Sequence, residues 1–234
     1  MKYKTLYILL TVFFSSCFGL QAQTVEEVLK KVDTEYTSKK CLSYTSSYNL
    51  YKKATDKKAY ESYKGIFQKN ISNAIYQKID KTEFVLKGNV CLKIMHPDKL
   101  IEISKAEPFV LGEFSIQPLF EYCKVKEFKS NAGFWTIVLE PKQFTDLPYS
   151  KIVVTVSKSF FITKQVFYFN SGIDFSKDHR KNDISYPVLE IIHSNHKRDK
   201  IADGIFSLGK FVSFEKNGIQ PSLQYSQYNI EDYR

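Results

Sequence analysis

Apolar residues recur at every second position through most of this chain, the period of a strand with one buried face rather than of a helix. The pattern is clearest between Phe134 and Asn170. Trp135, Ile137 and Leu139 share one face of a first run, Ile152, Val154 and Val156 one face of a second, and Phe161, Phe167 and Phe169 one face of a third. Ser157-Lys158-Ser159 is short enough to join the last two as a hairpin. Three successive strands with one apolar face each cannot stand alone, so the rest of the chain must supply a cover.

The same alternation organises the first half. Leu42, Tyr44, Ser46, Tyr48 and Leu50 alternate with polar neighbours, and Tyr63, Gly65 and Phe67 share a face after a charged turn at Lys52 to Lys58. Ile71, Ile75 and Ile79 share another, together with Asn73 and Gln77. Phe84 to Leu86 and Val90 to Met95 follow on either side of Gly88-Asn89, His96-Pro97-Asp98 reads as a turn, and Leu100 to Ser104 resumes the strand. Lys124 to Phe128 is a further strand, turned by Asn131-Ala132-Gly133 into the Trp135 run. After a polar loop from Ser171 to Asp183, the runs Pro187 to His193, Ile205 to Val212 and Leu223 to Ile230 are expected as the last strands. Short strands with charged turns between them predict a large antiparallel meander.

Two stretches depart from this period. In Thr24 to Tyr36 the residues Val25, Val28, Leu29 and Val32 fall at helical spacing, and Thr24 with Glu27 forms a capping-box pattern. Glu107 to Tyr122 is strongly apolar but broken by Pro108, Gly112 and Pro118, which deny it a long strand. It reads either as a plug that completes the core or as a movable lid over a hydrophobic cavity, with Leu111, Phe114, Leu119 and Phe120 as its gate.

Composition sharpens this picture. The 234 residues, 43% hydrophobic and 15% aromatic with only 9 glycines, suit one mainly β domain of broad sheets. Residues 1–22 read as a leader, with Lys2 and Lys4 ahead of the apolar run Leu6 to Phe14. Two processing sites compete: ordinary cleavage after Leu20-Gln21-Ala22, or a loose lipobox, Phe14-Ser15-Ser16-Cys17, that would make Cys17 a lipidated first residue. The first predicts a periplasmic protein, the second an outer-membrane lipoprotein anchored at Cys17. Residues 23–234 are then expected as a single domain, since no linker or low-complexity block divides them.

Removing Lys2 and Lys4 takes the net charge from +9 to about +7. The lysines are scattered among acids and only Arg180, Arg198 and Arg234 are arginines, so nucleic-acid binding is not expected. Cys41, Cys91 and Cys123 are an odd number for an oxidising compartment; one disulfide, such as Cys91 with Cys123, stays open. His193-Ser194-Asn195-His196 reads as a polar turn beside Lys197 and Arg198, a poor cation site. There is no nucleophile elbow, HExxH or phosphate-cradling glycine loop, so neither a catalytic residue, a metal nor a cofactor is expected.

The order of these elements is informative: leader, one amphipathic helix, about six meandering strands, a proline-broken apolar segment, then Leu139-Glu140-Pro141-Lys142, a long hairpin, and a final Asp203-Gly204-Ile205-Phe206. It resembles the LolA/LolB-type lipoprotein-carrier superfamily of Gram-negative bacteria over nearly the whole chain after the leader. The resemblance implies a mainly β (α+β) fold, a strongly curved antiparallel sheet forming an incomplete barrel, with an N-terminal helix and a lid-like apolar segment on the concave side. It also implies a non-enzymatic carrier of lipids or lipoprotein acyl chains, which leave water at roughly 0.8 kcal/mol per buried CH2 group. Trp135, Ile137, Val154, Val156, Phe161 and Phe167 would line the cavity of a monomer that meets an inner- or outer-membrane protein partner. One departure stands out: the carrier proper places an arginine in its early strands, where SYTSSYNLYKK has none. The competing expectation is an envelope interaction module with a filled core and a partner-binding face of exposed tyrosines, Tyr44, Tyr48, Tyr225 and Tyr228.

Overall fold

The computed structural model describes residues 23–106, 121–143, 145–178, 180–215 and 218–234. Its first element is helix α1 (Val25–Thr37), which starts where the capping box places it. The Thr24 hydroxyl accepts the Glu27 N–H at 3.3 Å, and the Glu27 carboxylate accepts the Thr24 N–H at 3.3 Å. Both bonds satisfy amides that the first turn leaves without helical partners. Thr24→Ala is expected to remove about 1 kcal/mol of stability, read as a lowered urea midpoint; an unchanged midpoint would show that the cap contributes nothing.

Twelve strands form one sheet, in the order β16-β6-β5-β4-β3-β2-β1-β13-β10-β9-β8-β7. The first six in sequence are β1 (Leu42–Tyr51), β2 (Glu61–Lys69), β3 (Ile75–Ile79), β4 (Thr82–Lys87), β5 (Val90–Met95) and β6 (Leu100–Lys105), an uninterrupted antiparallel meander. A second meander runs through β7 (Cys123–Ser130), β8 (Phe134–Pro141), β9 (Tyr149–Ser157) and β10 (Ile162–Phe169). β13 (Val188–Lys197) lies between β10 and β1 and joins the two halves. The sheet is curved and does not close, an incomplete barrel as expected. Its β7 edge carries Lys124, Lys126 and Lys129, charges that discourage pairing with another chain. Among the described residues no helix is long and apolar enough to cross a membrane.

Several sequence expectations change here. The stretch 171–183 is not wholly loop, because β11 (Ile173–Asp174) pairs with β12 (Ile184–Ser185). Ile71 does not share a strand with Ile75 and Ile79; it is 64% exposed in a turn where Asn73 takes φ 59°. That turn is built by the Asn70 side-chain oxygen, which accepts the N–H groups of Ser72 and Ala74. Residues 205–212 are two 3₁₀ turns, Asp203–Phe206 and Leu208–Lys210, leading into β14 (Val212–Glu215), which pairs with β15 (Gly218–Pro221). Leu223–Tyr225 is a third such turn, and β16 (Asn229–Asp232) then pairs with β6 in parallel, the one parallel ladder among the described residues. Phe161 precedes β10, whose bulge puts Ile162, Gln165 and Phe167 on the face expected for Phe161, Phe167 and Phe169.

The sheet has two covers on opposite faces. Val28, Val32 and Tyr36 of α1 pack on a face built from Leu42, Tyr44, Phe67, Trp135, Ile137, Leu139, Ile152, Val154, Val156 and Ile162. Residues 208–230 cover the other face at the far half, where Phe211, Val212 and Tyr225 bury Val85, Leu92, Ile94, Ile101 and Ile103. Alternation along β4 to β6 therefore sends every second residue under residues 208–230 and the others to the helix face. Gly65 sits mid-strand on the helix face because a Cβ there would lie 2.9 Å from the Tyr48 ring.

Candidate ligand-binding face

The helix face begins with the cavity residues that the sequence nominates. Trp135, Ile137, Val154 and Val156 are 0–4% exposed and lie side by side through the ladders Trp135↔Val156 and Ile137↔Val154. They pack against α1, so at this end of the sheet the wall touches protein. Phe161 and Phe167 are half-buried at its margin. Leu111, Phe114, Leu119 and Phe120, nominated as a lid, and Cys17, nominated for lipidation, lie outside the described residues.

Beyond the helix the apolar face continues. Ile75, Ile79, Phe84, Leu86, Met95 and Leu100 project from β3–β6 to the same side as Phe67 and Leu42, and all six are half-buried. The row is interrupted by Gln77 and by an ion pair between Lys93 and Glu102 at 2.8 Å. Twelve strands at about 4.8 Å spacing extend over roughly 50 Å along a curved sheet. A 13-residue helix is about 20 Å long and about 10 Å thick. One such helix covers a minority of this face.

The C-terminal end of α1 is held by two cations that sequence reasoning passed over. Lys69 is 3% exposed, and its ammonium donates to the carbonyls of Tyr36 at 2.5 Å and Ser38 at 2.7 Å. Burial, reinforced by the positive charge of Arg198, pushes the Lys69 ammonium down to about 8. Arg198 donates to the Cys41 carbonyl at 3.2 Å and the Glu35 carbonyl at 2.9 Å, and pairs with the Glu35 carboxylate. The carbonyls of Glu35, Tyr36 and Ser38 lie at the helix end, where the last turn offers no partner, and cations suit that end of the dipole. The Tyr36 hydroxyl accepts the Ile162 N–H at 3.1 Å, tying the helix to the start of β10. Burial raises that phenol. Lys69 was legible: it follows Gly65 and Phe67 at the parity of the buried face.

His193 and His196 do not form a polar turn. His193 is 4% exposed within β13; its Nε2–H donates to Gln165 at 3.0 Å, and its Nδ1 accepts the Ser46 hydroxyl at 3.2 Å. His196 stacks on Phe161 with centroids 4.7 Å apart and lies against Tyr44. Both imidazoles are pushed down to about 4, by burial first and then by neighbouring positive charge, His196 for His193 and Arg198 for His196. Two neutral histidines inside the wall form a structural polar patch. Among the described residues no three His, Cys, Asp or Glu side chains are grouped to hold a metal.

Two further expectations are corrected. Tyr44, Tyr48 and Tyr225 are 3–7% exposed and Tyr228 is half-buried, so they are core residues rather than a partner-binding face. Cys41, Cys91 and Cys123 are free and buried. Cys91 on β5 and Cys123 on β7 are nine strands apart in the sheet order, and neither is bridged. Burial raises both thiols.

No family model matches the chain, and no curated relative does. Among solved structures it is similar to an uncharacterized conserved protein from Thermus thermophilus, at 9% identity, a TM-score of 0.50, and coverage of 90% of this chain and 100% of that one. It is also similar to a LolA superfamily protein from Nitrosomonas europaea, at 15% identity, a TM-score of 0.40, and coverage of 80% and 98%. An outer membrane lipoprotein-sorting protein domain from Vibrio parahaemolyticus follows, at 14% identity, a TM-score of 0.34, and coverage of 77% and 95%. At these identities the likeness is one of fold alone.

Proposed function

We propose that this protein is a non-enzymatic carrier or binder of lipids or lipoprotein acyl chains, held against the helix face of its sheet, with residues 23–234 acting as one unit. The observation that carries the reading is the mismatch between the apolar extent of that face and its one described helix. An apolar row from Ile75 to Leu100 that stays half-buried is suited to acyl chains, which need an apolar wall and no catalytic group. Trp135, Ile137, Val154, Val156, Phe161 and Phe167 are the deeper part of the same wall, reached when α1 moves aside. Leu111, Phe114, Leu119 and Phe120 are proposed as the gate. The leader pattern supports a place in the cell envelope, periplasmic after cleavage behind Ala22 or anchored through Cys17. A membrane protein is the expected partner for loading or delivery.

Purified protein is expected to carry an acyl lipid, seen by native mass spectrometry and by extraction. Phe84→Asp with Met95→Asp is expected to remove it and to weaken uptake of a fluorescent fatty acid at least roughly tenfold. Folded protein that neither retains a lipid nor takes up the probe would sink the reading.

A further inference from the structure

The end of the sheet formed by the β1–β2 turn and the segment before β13 is built unlike the rest of the surface. The ladder Ile173↔Ser185 and Asp174↔Ile184 makes a small ribbon there. The ribbon is locked to the β1–β2 turn by one lysine. Lys52 pairs with Asp183, and its ammonium sits 4.8 Å from the Tyr60 ring and 5.2 Å from the Phe175 ring. Those two rings meet edge-on at 5.1 Å. On this frame the apolar tips point outward: Ile184 is 61% exposed, Tyr186 63%, and Ile173 and Tyr60 40% each.

The charges around these tips are mostly positive. Residues 52–60 and 171–187 hold seven Lys and Arg against four Asp. The aspartates are occupied: Asp174 accepts the N–H groups of Ser176 and Asp183, Asp178 that of Arg180, Asp56 that of Lys53, and Asp183 pairs with Lys52. Among the described residues no ion pair engages Lys53, Lys57, Lys58, Lys177, Arg180 or Lys181, and all six are exposed.

From this arrangement we infer that the rim is a docking site for an anionic lipid surface. Isolated apolar and tyrosine tips ringed by free cations match what a membrane interface rewards: shallow burial of the tips, tyrosine at headgroup depth, and basic side chains over anionic headgroups. A stable protein partner would instead need a contact of about 800 Å² per side, whereas the large apolar side chains exposed on this turn and ribbon, among the described residues, are Tyr60, Ile173, Ile184 and Tyr186. This goes beyond the carrier reading by assigning where the protein meets the bilayer. The same end carries Leu50, Tyr63, Phe167 and Leu189 on the helix face, so docking there would bring the bilayer to the mouth of the acyl-binding wall.

The test is flotation of the chain from Gln23 on, which holds every described element, with vesicles of phosphatidylcholine alone or with added phosphatidylglycerol. Binding is expected only with phosphatidylglycerol and to fall with salt. Lys57→Glu with Lys58→Glu, and separately Ile184→Ser with Tyr186→Ser, are each expected to weaken it at least roughly tenfold. Lys124→Glu with Lys126→Glu on the β7 edge, the same charge change elsewhere, is expected to bind normally. Rim variants that bind like the unaltered chain overturn the proposal, as does equal loss in the β7 variant or capture of a protein partner without vesicle binding. Uptake of the fluorescent fatty acid by the rim variants in detergent-free buffer separates this site from the carrier reading: its loss in all chains indicts the wall, its retention with lost flotation supports the rim.

Discussion

Acidification below pH 6.5 is expected to destabilise the fold, by about 3 kcal/mol at pH 4 through His193 alone. The imidazole sits among Tyr44, Ser46, Gln165 and His196, and its folded value is pushed from 6.5 down to about 4. The unfolded chain therefore binds a proton on His193 that the folded chain refuses throughout that window. Stability is fully present above 6.5, declines as pH falls, and levels off near 4. His196 acts in the same direction with less weight, because it is more exposed than His193. Urea unfolding at pH 7.5 and 4.5 measures the slope. His193→Gln keeps a donor toward Gln165 and removes the titration, so its slope is expected to be clearly flatter. Equal slopes in the two proteins would show that other groups carry the acid sensitivity.

Arg198→Ala is the second large effect. It deletes both bonds to the Cys41 and Glu35 carbonyls, strands the Glu35 carboxylate, and removes the cation 5.2 Å from the Phe161 ring. The pair is about 70% buried on both sides, and charge-assisted bonds of this kind carry about 1.5–3 kcal/mol. The loss is expected at about 2–3 kcal/mol, concentrated on α1: its amides should exchange with solvent at least tenfold faster while those of β8 and β9 hold. Glu35→Gln in the same background should cost little more, since its partner is already gone. Uniform acceleration across helix and sheet would mean that Arg198 supports the whole fold rather than the helix end. If α1 covers the inner wall as proposed, the variant also takes up the fatty-acid probe faster.

SYTSSYNLYKK has no arginine, yet Arg198, the residue after β13, donates to the carbonyl of Cys41 immediately before β1. Sequence order hid this because 157 residues separate the two, and only the β1–β13 ladder brings them together.

The elements that were legible are those governed by local physics. Period-two alternation located β1, β2, β4 to β6, β8 and β9 and assigned the faces of β1, β2, β8 and β9, because a strand must send neighbouring side chains to opposite sides. The capping box at Thr24 located the helix start, because its donors and acceptor lie within one turn. Where alternation was read too far, backbone chemistry intervened: Asn70 bent the chain ahead of Ile75, and the greasy run from Ile205 to Val212 folded into 3₁₀ turns because its apolar residues cap a face already made elsewhere.

What alternation cannot say is which cover a face receives. Leu92 and Ile94 look no different along the chain from Ile137 and Val154, yet the first pair lies under residues 208–230 and the second under α1. Lys69 and His193 follow the parity of buried positions, and only the helix end and the Ser46–His193–Gln165 chain explain how such polar groups are tolerated there. The local period specifies strands and their two faces. The junctions of β1 with β13 and of β6 with β16, the Arg198 half of the clamp on α1 and the Lys52–Asp183 lock of the cationic rim join residues more than a hundred positions apart, which no local pattern encodes.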